Sequence, residues 1–399
     1  MFYIPGYDPF PPRRYRELYR TEAAAQAEIS GFDISLTPGP RGENFGWRVE
    51  ADIEGHRVET SFEVLLWSDL VQSSMSNSIP ATYAQLVRTA WTYISTGALW
   101  RLMRLRKGPV IAALYPIGML LVQLALALAL GWAVGSLIGL FAQSLPPVLL
   151  GPLSWGAAAI VAVLVLRWFR ARDGKFFAYY LMHDYAHSAQ LRGRYPSELQ
   201  QRLDKFKNRI SQSLRDDVDE VLVVGHSSGA HLGVSVLADL IRSGHMPNKG
   251  PALGFLSLGQ VVPMLSFLPD AYELRKDLQF LSTRDELAWV DVTAPGDGCS
   301  FALCDPVAVS GVAPADKKWP LVFSAAFTQT LSPGRWKELR WRFFRLHFQY
   351  LCAFDRPRDY DYFRVTAGPK TLRARYHGRN ASKSRIETAV SKYTSVDAA

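Results

Sequence analysis

The chain has 399 residues, of which 48% are hydrophobic, and its formal net charge at pH 7 is +9. This composition excludes a disordered chain, a collagen-like fibre and a disulfide-stapled scaffold, because apolar residues are abundant and only three cysteines are present. The length fits one large domain or two ordinary ones. The mean hydropathy of −0.01 is that of a soluble protein, but the apolar residues are unevenly spread along the chain.

The N-terminal part of the sequence predicts a mixture of strands and helices. Residues 2–5 predict a short strand that runs into a turn, and residues 13–29 predict a helix. Residues 46–66 alternate apolar and polar side chains around Gly55, as in a β-hairpin. The first residues (MFYIPGYDPFPPRR) lack the apolar core of a secretory signal peptide, so we expect none.

A long uncharged segment interrupts this pattern. Residues 108–166 contain no charged side chain, which is enough chain for two bilayer crossings of ~20 residues each. The run Gln-Ser-Leu-Pro-Pro at 143–147 predicts a break between a helix near 110–135 and another near 148–168. The sequence therefore predicts a transmembrane hairpin over 108–168. A buried hairpin of a large soluble protein is the alternative.

Basic residues flank both ends of this hairpin, and the linking turn has no charge. The four before it are Arg101, Arg104, Arg106 and Lys107, and the four after it are Arg167, Arg170, Arg172 and Lys175. By the positive-inside rule both outer ends face the cytoplasm. We therefore expect a protein of the inner (plasma) membrane whose termini and remaining folded part are cytoplasmic, where its cysteines stay reduced.

The positive charge is concentrated beside the hairpin and at the C-terminus. Residues 101–107 carry +4, residues 167–175 carry +3 and residues 364–399 carry +6. Anionic lipid headgroups attract such segments by about 1 kcal/mol per basic residue. We find no nucleic-acid-binding motif. The expected partner is therefore the lipid bilayer and not nucleic acid, and residues 366–399 are expected to form a basic, flexible tail.

Strands and helices alternate after the hairpin. Helices are predicted at 174–192, 197–215, 229–243 and 270–280, and strands at 221–224, 253–258, 288–293 and 321–323. This alternation predicts an α/β fold with a mostly parallel, doubly wound sheet. Because strands occur on both sides of the hairpin, we expect residues 1–107 and 169–365 to form one α/β domain that the hairpin interrupts.

A G-x-S-x-G motif, Gly225-His226-Ser227-Ser228-Gly229, lies at the first of these strand-to-helix junctions. A sharp turn there would lift the Ser227 hydroxyl above the sheet, and the flanking glycines would let strand and helix approach. The helix N-terminus and the Ser228 amide would stabilise an oxyanion. The motif therefore predicts Ser227 as a nucleophile, and His226 as a packing residue. A Gly-Ser turn in an ordinary βα unit is the alternative.

The motif in this position resembles the α/β-hydrolase fold, and in particular its lipase- and esterase-like serine hydrolases. In that family a second oxyanion donor comes from a loop after an early strand. The matching loop here follows residues 2–5, so the resemblance implies backbone N–H donors at Gly6 or Tyr7. The family order is nucleophile, acid, histidine, and we expect neither cofactor nor metal.

The acid and the histidine are expected downstream of Ser227 in that order. Asp297 follows the strand at 288–293 directly, where the family places its acid, and Asp305 is the rival. His347 lies in an aromatic stretch that predicts folded structure, and His377 in the basic tail is the rival.

The predicted function is that of a membrane-anchored cytosolic serine hydrolase acting on a small-molecule or lipid carboxylic ester. Ser227 would attack the carbonyl and form an acyl-enzyme, His347 would take its proton, and Asp297 would hold the imidazole. A catalytically inactive hydrolase-like scaffold or lipid-binding module is the alternative from another class.

Two other constellations offer different chemistry. His183 and His187 are four residues apart on a predicted helix, and the run differs from the zinc-protease motif H-E-x-x-H by an Asp at position 184. A membrane zinc protease is therefore an alternative, although no obvious third ligand follows. A patatin-like dyad of Ser227 and Asp297 is another, although the glycine-rich oxyanion loop of that family is absent.

Overall fold

The computed structural model describes residues 1–39, 45–75, 78–142, 146–244, 246–247 and 250–398. Its strands are β1 (Phe2–Ile4), β2 (Asp33–Pro38), β3 (Gly46–Ile53), β4 (His56–Val64), β5 (Glu220–His226), β6 (Ala252–Leu258), β7 (Leu287–Thr293) and β8 (Leu321–Ser324).

The helices of the N-terminal half are α1 (Arg13–Ser30), α2 (Ser68–Ser74), α3 (Ile79–Ser95), α4 (Ala98–Leu105), α5 (Lys107–Phe141), α6 (Pro147–Ala171), α7 (Asp173–Phe176) and α8 (Ala178–Ala189). Those of the C-terminal half are α9 (Ser197–Ser213), α10 (Gly229–Arg242), α11 (Val262–Ser266), α12 (Tyr272–Leu281), α13 (Pro306–Val309), α14 (Phe327–Thr330), α15 (Pro333–Leu339), α16 (Phe343–His347), α17 (Tyr362–Ala367) and α18 (Leu372–Arg375). A 3-10 helix covers Phe348–Leu351.

The described strands form one eight-stranded sheet in the order β2-β3-β4-β1-β5-β6-β7-β8. The six strands from β4 to β8 in that order pair in parallel, whereas β2, β3 and β4 form an antiparallel meander at one edge. The prediction of an α/β fold with a mostly parallel sheet is confirmed. The central strands β5, β6 and β7 are almost wholly buried, which explains their unbroken apolar sequences.

The sequence did not predict strand β2, which pairs with β3 at the edge of the sheet. None of its six residues is buried, so its sequence shows no apolar run that would mark a core strand. An edge strand satisfies its backbone on one side only, and its side chains need not be apolar.

The C-terminal tail also differs from its prediction, because it packs along the sheet domain instead of extending as a flexible segment. The Ser382 amide donates to Val322 O at 2.9 Å, and the Ile386 amide donates to Leu303 O at 2.7 Å. Tyr376 is buried. These backbone hydrogen bonds carry no signature in side-chain composition, which is why a polar, basic sequence pointed to disorder.

The contacts divide the chain into two compact units. The first comprises residues 1–72, 93–109 and 191–399 and contains the sheet, and the second comprises residues 73–92 and 110–190 and is helical. The second unit is larger than the predicted hairpin because α3 and α8 supply side chains to its core. That core contains Leu86, Leu120, Ala178, Tyr179, Met182 and Ala186.

Helices α5 and α6 are each long and apolar enough to cross a membrane, judged by length and composition. They extend the predicted helices at both ends, and residues 143–145 of the predicted break lie outside the described residues. The most apolar window of α6 has no buried residue, and that of α5 is 22% buried. A buried hairpin of a soluble protein would have these side chains covered.

Small residues bring α5 and α6 close together. A Cβ atom added to Gly131 would lie 2.5 Å from Ala158 O, and one added to Gly135 would lie 2.9 Å from Ser154 O. The two glycines are four residues apart, so they share one face of α5. Close contact through small residues at this spacing is typical of helix pairs in membranes, where the hydrophobic effect does not drive the association of helices.

Candidate active site

Ser227 occupies a strained turn between β5 and α10. Its backbone φ is +56°, a left-handed conformation that non-glycine residues rarely adopt. Its N–H donates to Leu258 O, at the end of the neighbouring strand β6, over 2.9 Å. The side chain is partly exposed, although its neighbours in the motif are buried. The turn therefore presents the Ser227 hydroxyl at the carboxyl edge of the sheet.

The flanking glycines are required by the backbone that surrounds them. A Cβ on Gly229 would lie 2.1 Å from Ile4 O, and a Cβ on Gly225 would lie 2.6 Å from Gly229 O. Neither position can hold a side chain without movement of the backbone. The two glycines thus let the start of α10 pack directly against β5 and the end of β1.

The loop after β1 borders Ser227, where the sequence predicted the second oxyanion donor. A Cβ on Gly6 would lie 3.0 Å from Ser227 Cβ and 3.5 Å from Ser227 Oγ. Tyr7 is buried with its ring 6.0 Å from that of Trp67, whose indole N–H donates to Pro5 O at 2.9 Å. The loop is therefore held against the turn that contains Ser227, and Ser228 is the N-cap residue of α10.

His347 and Asp297 form a buried hydrogen-bonded pair. The His347 Nδ1–H donates to Asp297 Oδ2 at 2.8 Å, and the Cys299 amide donates to Asp297 Oδ1 at 2.9 Å. With Nδ1 bonded to the carboxylate, the imidazole presents Nε2 as an acceptor. That Nε2 is buried and has no hydrogen-bond partner among the described residues.

Burial by itself opposes ionisation of Asp297, but the charge of His347 and its hydrogen bond outweigh burial and hold the pKa of Asp297 below its ordinary value. The carboxylate is therefore ionised at neutral pH.

Tyr350 also contacts this pair, and the sequence analysis did not predict its role. Its hydroxyl donates to Asp297 Oδ2 at 3.0 Å and accepts from the Ala294 amide at 2.9 Å. The ring is completely buried. The one signal in the sequence is its position three residues after His347 in a helical stretch, which places the two side chains on the same side of the chain.

The carboxyl ends of β5 and β6 connect Ser227 to His347. The Leu258 carbonyl accepts from Ser227, and the next residue, Gly259, has a φ of +54°. A Cβ on Gly259 would lie 3.0 Å from His347 Cε1. Ser227 and His347 therefore approach the same short segment, although no hydrogen bond joins Ser227 Oγ to His347 Nε2 among the described residues.

His226 supports the histidine rather than acting as a base. It is buried, its Nε2–H donates to His347 O at 3.0 Å, and the two rings lie 4.8 Å apart. Burial and the neighbouring His347 lower the pKa of His226 to about 3. It is therefore neutral near pH 7 and packs against the backbone of His347, in agreement with its expected packing role.

The rival acid and the rival histidine lie elsewhere. Asp305 caps α13 by accepting from the Val307 and Ala308 amides at 3.0 Å, and it pairs with Lys317 Nζ at 2.6 Å. His377 is exposed. Of the candidates, the structure brings together Asp297 and His347.

The histidines of the zinc-protease alternative have other contacts. His183 is buried and its Nδ1 lies 2.7 Å from Gln85 Oε1. Burial lowers the pKa of His183 to about 4. In the part of the chain that the structure describes, neither His183 nor His187 belongs to a group of three potential metal ligands.

One such group does occur at the candidate site. Ligand atoms of Asp297, Cys299 and His347 all lie within 4.8 Å of one another. A cation there would have to break the 2.8 Å hydrogen bond between His347 Nδ1 and Asp297 Oδ2, because both of these residues would be its ligands. The donor set therefore suits a proton-transfer pair better than a metal.

Comparisons of the chain with protein-family models, with curated proteins and with solved structures find no match.

Proposed function

We propose that this protein is a membrane-anchored serine hydrolase that cleaves a carboxylic ester. The observation that carries the proposal is the strained Ser227 turn, next to a segment that also contacts the imidazole of a buried His347–Asp297 pair. A strained, glycine-flanked serine at the carboxyl edge of a parallel sheet has a chemical use that an ordinary βα turn does not.

In the proposed reaction Ser227 Oγ attacks the carbonyl carbon while His347 Nε2 takes the hydroxyl proton. The tetrahedral intermediate collapses when His347 returns that proton to the leaving alcohol, which leaves Ser227 acylated. Water then attacks the acyl-enzyme with His347 again as base, and the acid is released. Asp297 keeps the Nδ1 proton in place and stabilises the imidazolium in both steps.

The oxyanion would be held by backbone N–H groups on both sides of Ser227. Ser228 caps α10, so its amide lies where the helix N-terminus contributes positive potential. Gly6 and Tyr7 belong to the loop that borders Ser227, and their amides are the candidates for the second donor. Because these donors are backbone groups, side-chain substitution at Ser228 would leave its donor intact.

Helices α5 and α6 support the membrane anchor. Their lengths, their exposed apolar surfaces and the close glycine-mediated packing between them suit a helix pair in a bilayer. The basic residues on both flanks favour a cytoplasmic sheet domain. An enzyme anchored in this way would meet esters of lipids or of other apolar molecules at the membrane.

A fluorophosphonate probe tests the chemistry without knowledge of the substrate. The probe labels activated serines, so we expect the full-length protein in lipid nanodiscs to be labelled and Ser227→Ala to be unlabelled. Ser243→Ala is the matched control, because Ser243 follows the other end of α10 and is exposed, and it should label as the unaltered protein does.

Absence of Ser227-dependent labelling would refute the hydrolase proposal and favour the inactive scaffold. Ester or peptide hydrolysis that survives Ser227→Ala but is lost with a chelator would favour the zinc alternative instead. Labelling that survives His347→Ala at an unchanged rate would show that the serine does not depend on the proposed base.

A further inference from the structure

An exposed run of aromatic and basic residues immediately precedes His347. Its six members are all exposed and are Arg340, Trp341, Arg342, Phe343, Phe344 and Arg345. We refer to residues 340–345 as the aromatic–basic run. Trp341 is 70% exposed and Phe343 is 46% exposed. Large aromatic side chains clustered in water are unfavourable and usually mark a contact surface.

The run and the part of α15 that precedes it are strongly basic. Residues 335–345 contain five Lys and Arg side chains against one acidic residue, Glu338, which gives +4. Glu338 lies 3.2 Å from Arg342 and 3.4 Å from Arg345, so one carboxylate is shared among several cations. A partner for this surface must offer both negative charge and a layer that accepts aromatic rings. The headgroup region of an anionic bilayer offers both.

The run lies beside the start of a membrane-length helix. A Cβ on Gly298, directly after Asp297, would lie 3.2 Å from Phe343 Cδ1. A Cβ on Gly108 would lie 3.4 Å from Gly298 Cα, so Phe343 and the first turn of α5 contact the same residue. Arg106 reinforces this contact by donating from Nε to Ala302 O at 2.8 Å.

The membrane anchor of the proposed function implies a level for the bilayer surface. The last charged residue before the uncharged segment is Lys107, at the first position of α5. If α5 spans the bilayer, the headgroup layer begins at this position, where lysine and arginine side chains reach the interface. Gly298 and Phe343 are then close to that layer, as is Asp297.

We propose that the aromatic–basic run is a membrane-contact surface that docks on anionic lipid headgroups and holds the candidate site close to the leaflet. The inference rests on the membrane anchor of the proposed function, but not on its chemistry. It narrows the substrate class to esters that lie at the headgroup boundary, as the acyl esters of phospholipids do.

A fluorophore at the run tests this docking in the full-length protein. In a Cys299→Ser background, whose other cysteines are buried, Trp341→Cys is labelled with a nitrobenzoxadiazole dye. The protein is reconstituted into phosphatidylcholine vesicles with a minor fraction of phosphatidylglycerol, with and without a headgroup nitroxide lipid. Val218→Cys is the matched control, because Val218 is 49% exposed and precedes β5, at the opposite edge of the sheet from Ser227.

We expect the nitroxide lipid to quench the dye at position 341 by about twofold or more, and the dye at position 218 hardly at all. Substituting Arg340→Gln and Arg342→Gln should reduce the quenching at 341, because two cations that face the headgroups are removed. Equal quenching at 341 and 218 in protein that floats with the vesicles would overturn the inference and leave the anchor standing. Protein that fails to float with the vesicles would overturn the anchor and the inference together.

Discussion

Two turns at the carboxyl edge of the sheet carry the candidate nucleophile and the candidate acid, and they are held in place by different means. The turn after β5 is fixed by its own backbone, because Gly225 and Gly229 contact backbone atoms that leave no room for a side chain. The loop after β7 is fixed by side chains from distant parts of the chain. Asp297 is bonded to His347 and Tyr350, and Gly298 contacts Phe343.

This difference predicts which substitutions change the stability of the fold and which change the proposed reaction. Residues of the first turn determine how β1, β5 and α10 fit together, so their substitution should change the stability of the whole sheet domain. Residues of the second loop determine the position and charge of one imidazole, so substitutions that keep their shape should change the reaction and leave the fold intact. Two substitutions, each with a matched comparison, test this division.

The largest effect is expected from Asp297→Asn. An amide keeps the size of the side chain but no longer favours a proton on Nδ1 of His347, so the imidazole cannot present an unprotonated Nε2 to Ser227. Loss of the acid in a serine triad with intact geometry lowers the rate by about 10⁴. The rate of fluorophosphonate labelling of Ser227 measures this effect, and thermal unfolding checks that the fold persists.

Asp305→Asn is the matched control, because Asp305 is equally buried and lies in the same stretch of chain. Its bonds to the α13 amides and to Lys317 make it a structural residue, so the variant should lose about 1–3 kcal/mol of stability and keep its labelling rate. Equal loss of labelling in both variants would contradict the assignment of Asp297.

A smaller effect, on stability, is expected from Gly229→Ala. The added Cβ would lie 2.1 Å from the Ile4 carbonyl oxygen, a backbone atom that can move only with β1. Overpacking of this kind costs about 3 kcal/mol of the free energy of unfolding. Urea unfolding of the detergent-solubilised protein measures it.

Gly233→Ala is the comparison for that substitution. Its Cβ would meet the ring of Phe255 at 2.6 Å, and a side-chain ring can shift without moving the backbone of a strand. We expect about 1 kcal/mol at this position. Similar costs at 229 and 233 would mean that the turn is no tighter than the rest of α10.

The same division explains what the sequence could predict. Strands β5, β6 and β7 lie within one or two residues of the predicted positions, because burial on both faces demands apolar runs that are visible in any sequence. The Ser227 turn was also predictable, because the tight backbone of this turn requires glycines that are visible in the local sequence. Strand β2 was not predicted, because its side chains are not buried and therefore do not form an apolar run.

The remaining features depend on contacts between distant residues. The pairing of Asp297 with His347 was chosen from family order, and the sequence alone could not exclude Asp305 or His377. The role of Tyr350 was missed because its hydroxyl acts across 53 positions of the chain. No signal in the sequence pointed to Gly259, although its lack of a side chain leaves room for the His347 imidazole.

Replacing His226 should change the pH dependence of stability, and near pH 7 this is the smallest of the expected effects. Its pKa is about 3 in the folded protein against 6.5 for an ordinary histidine, so between these values the unfolded chain binds a proton that the folded chain does not. The free energy of unfolding must therefore fall as the pH is lowered from 6.5 toward 3, by up to about 1.4 kcal/mol per pH unit. His226→Gln removes the titration and keeps a donor for His347 O, so its unfolding should depend less steeply on pH in this window. His226→Phe should flatten the profile equally but lose about 1 kcal/mol at every pH, because the carbonyl then lacks its donor. A slope in the glutamine variant as steep as that of the unaltered protein would mean that His226 is not buried as a neutral group behind His347.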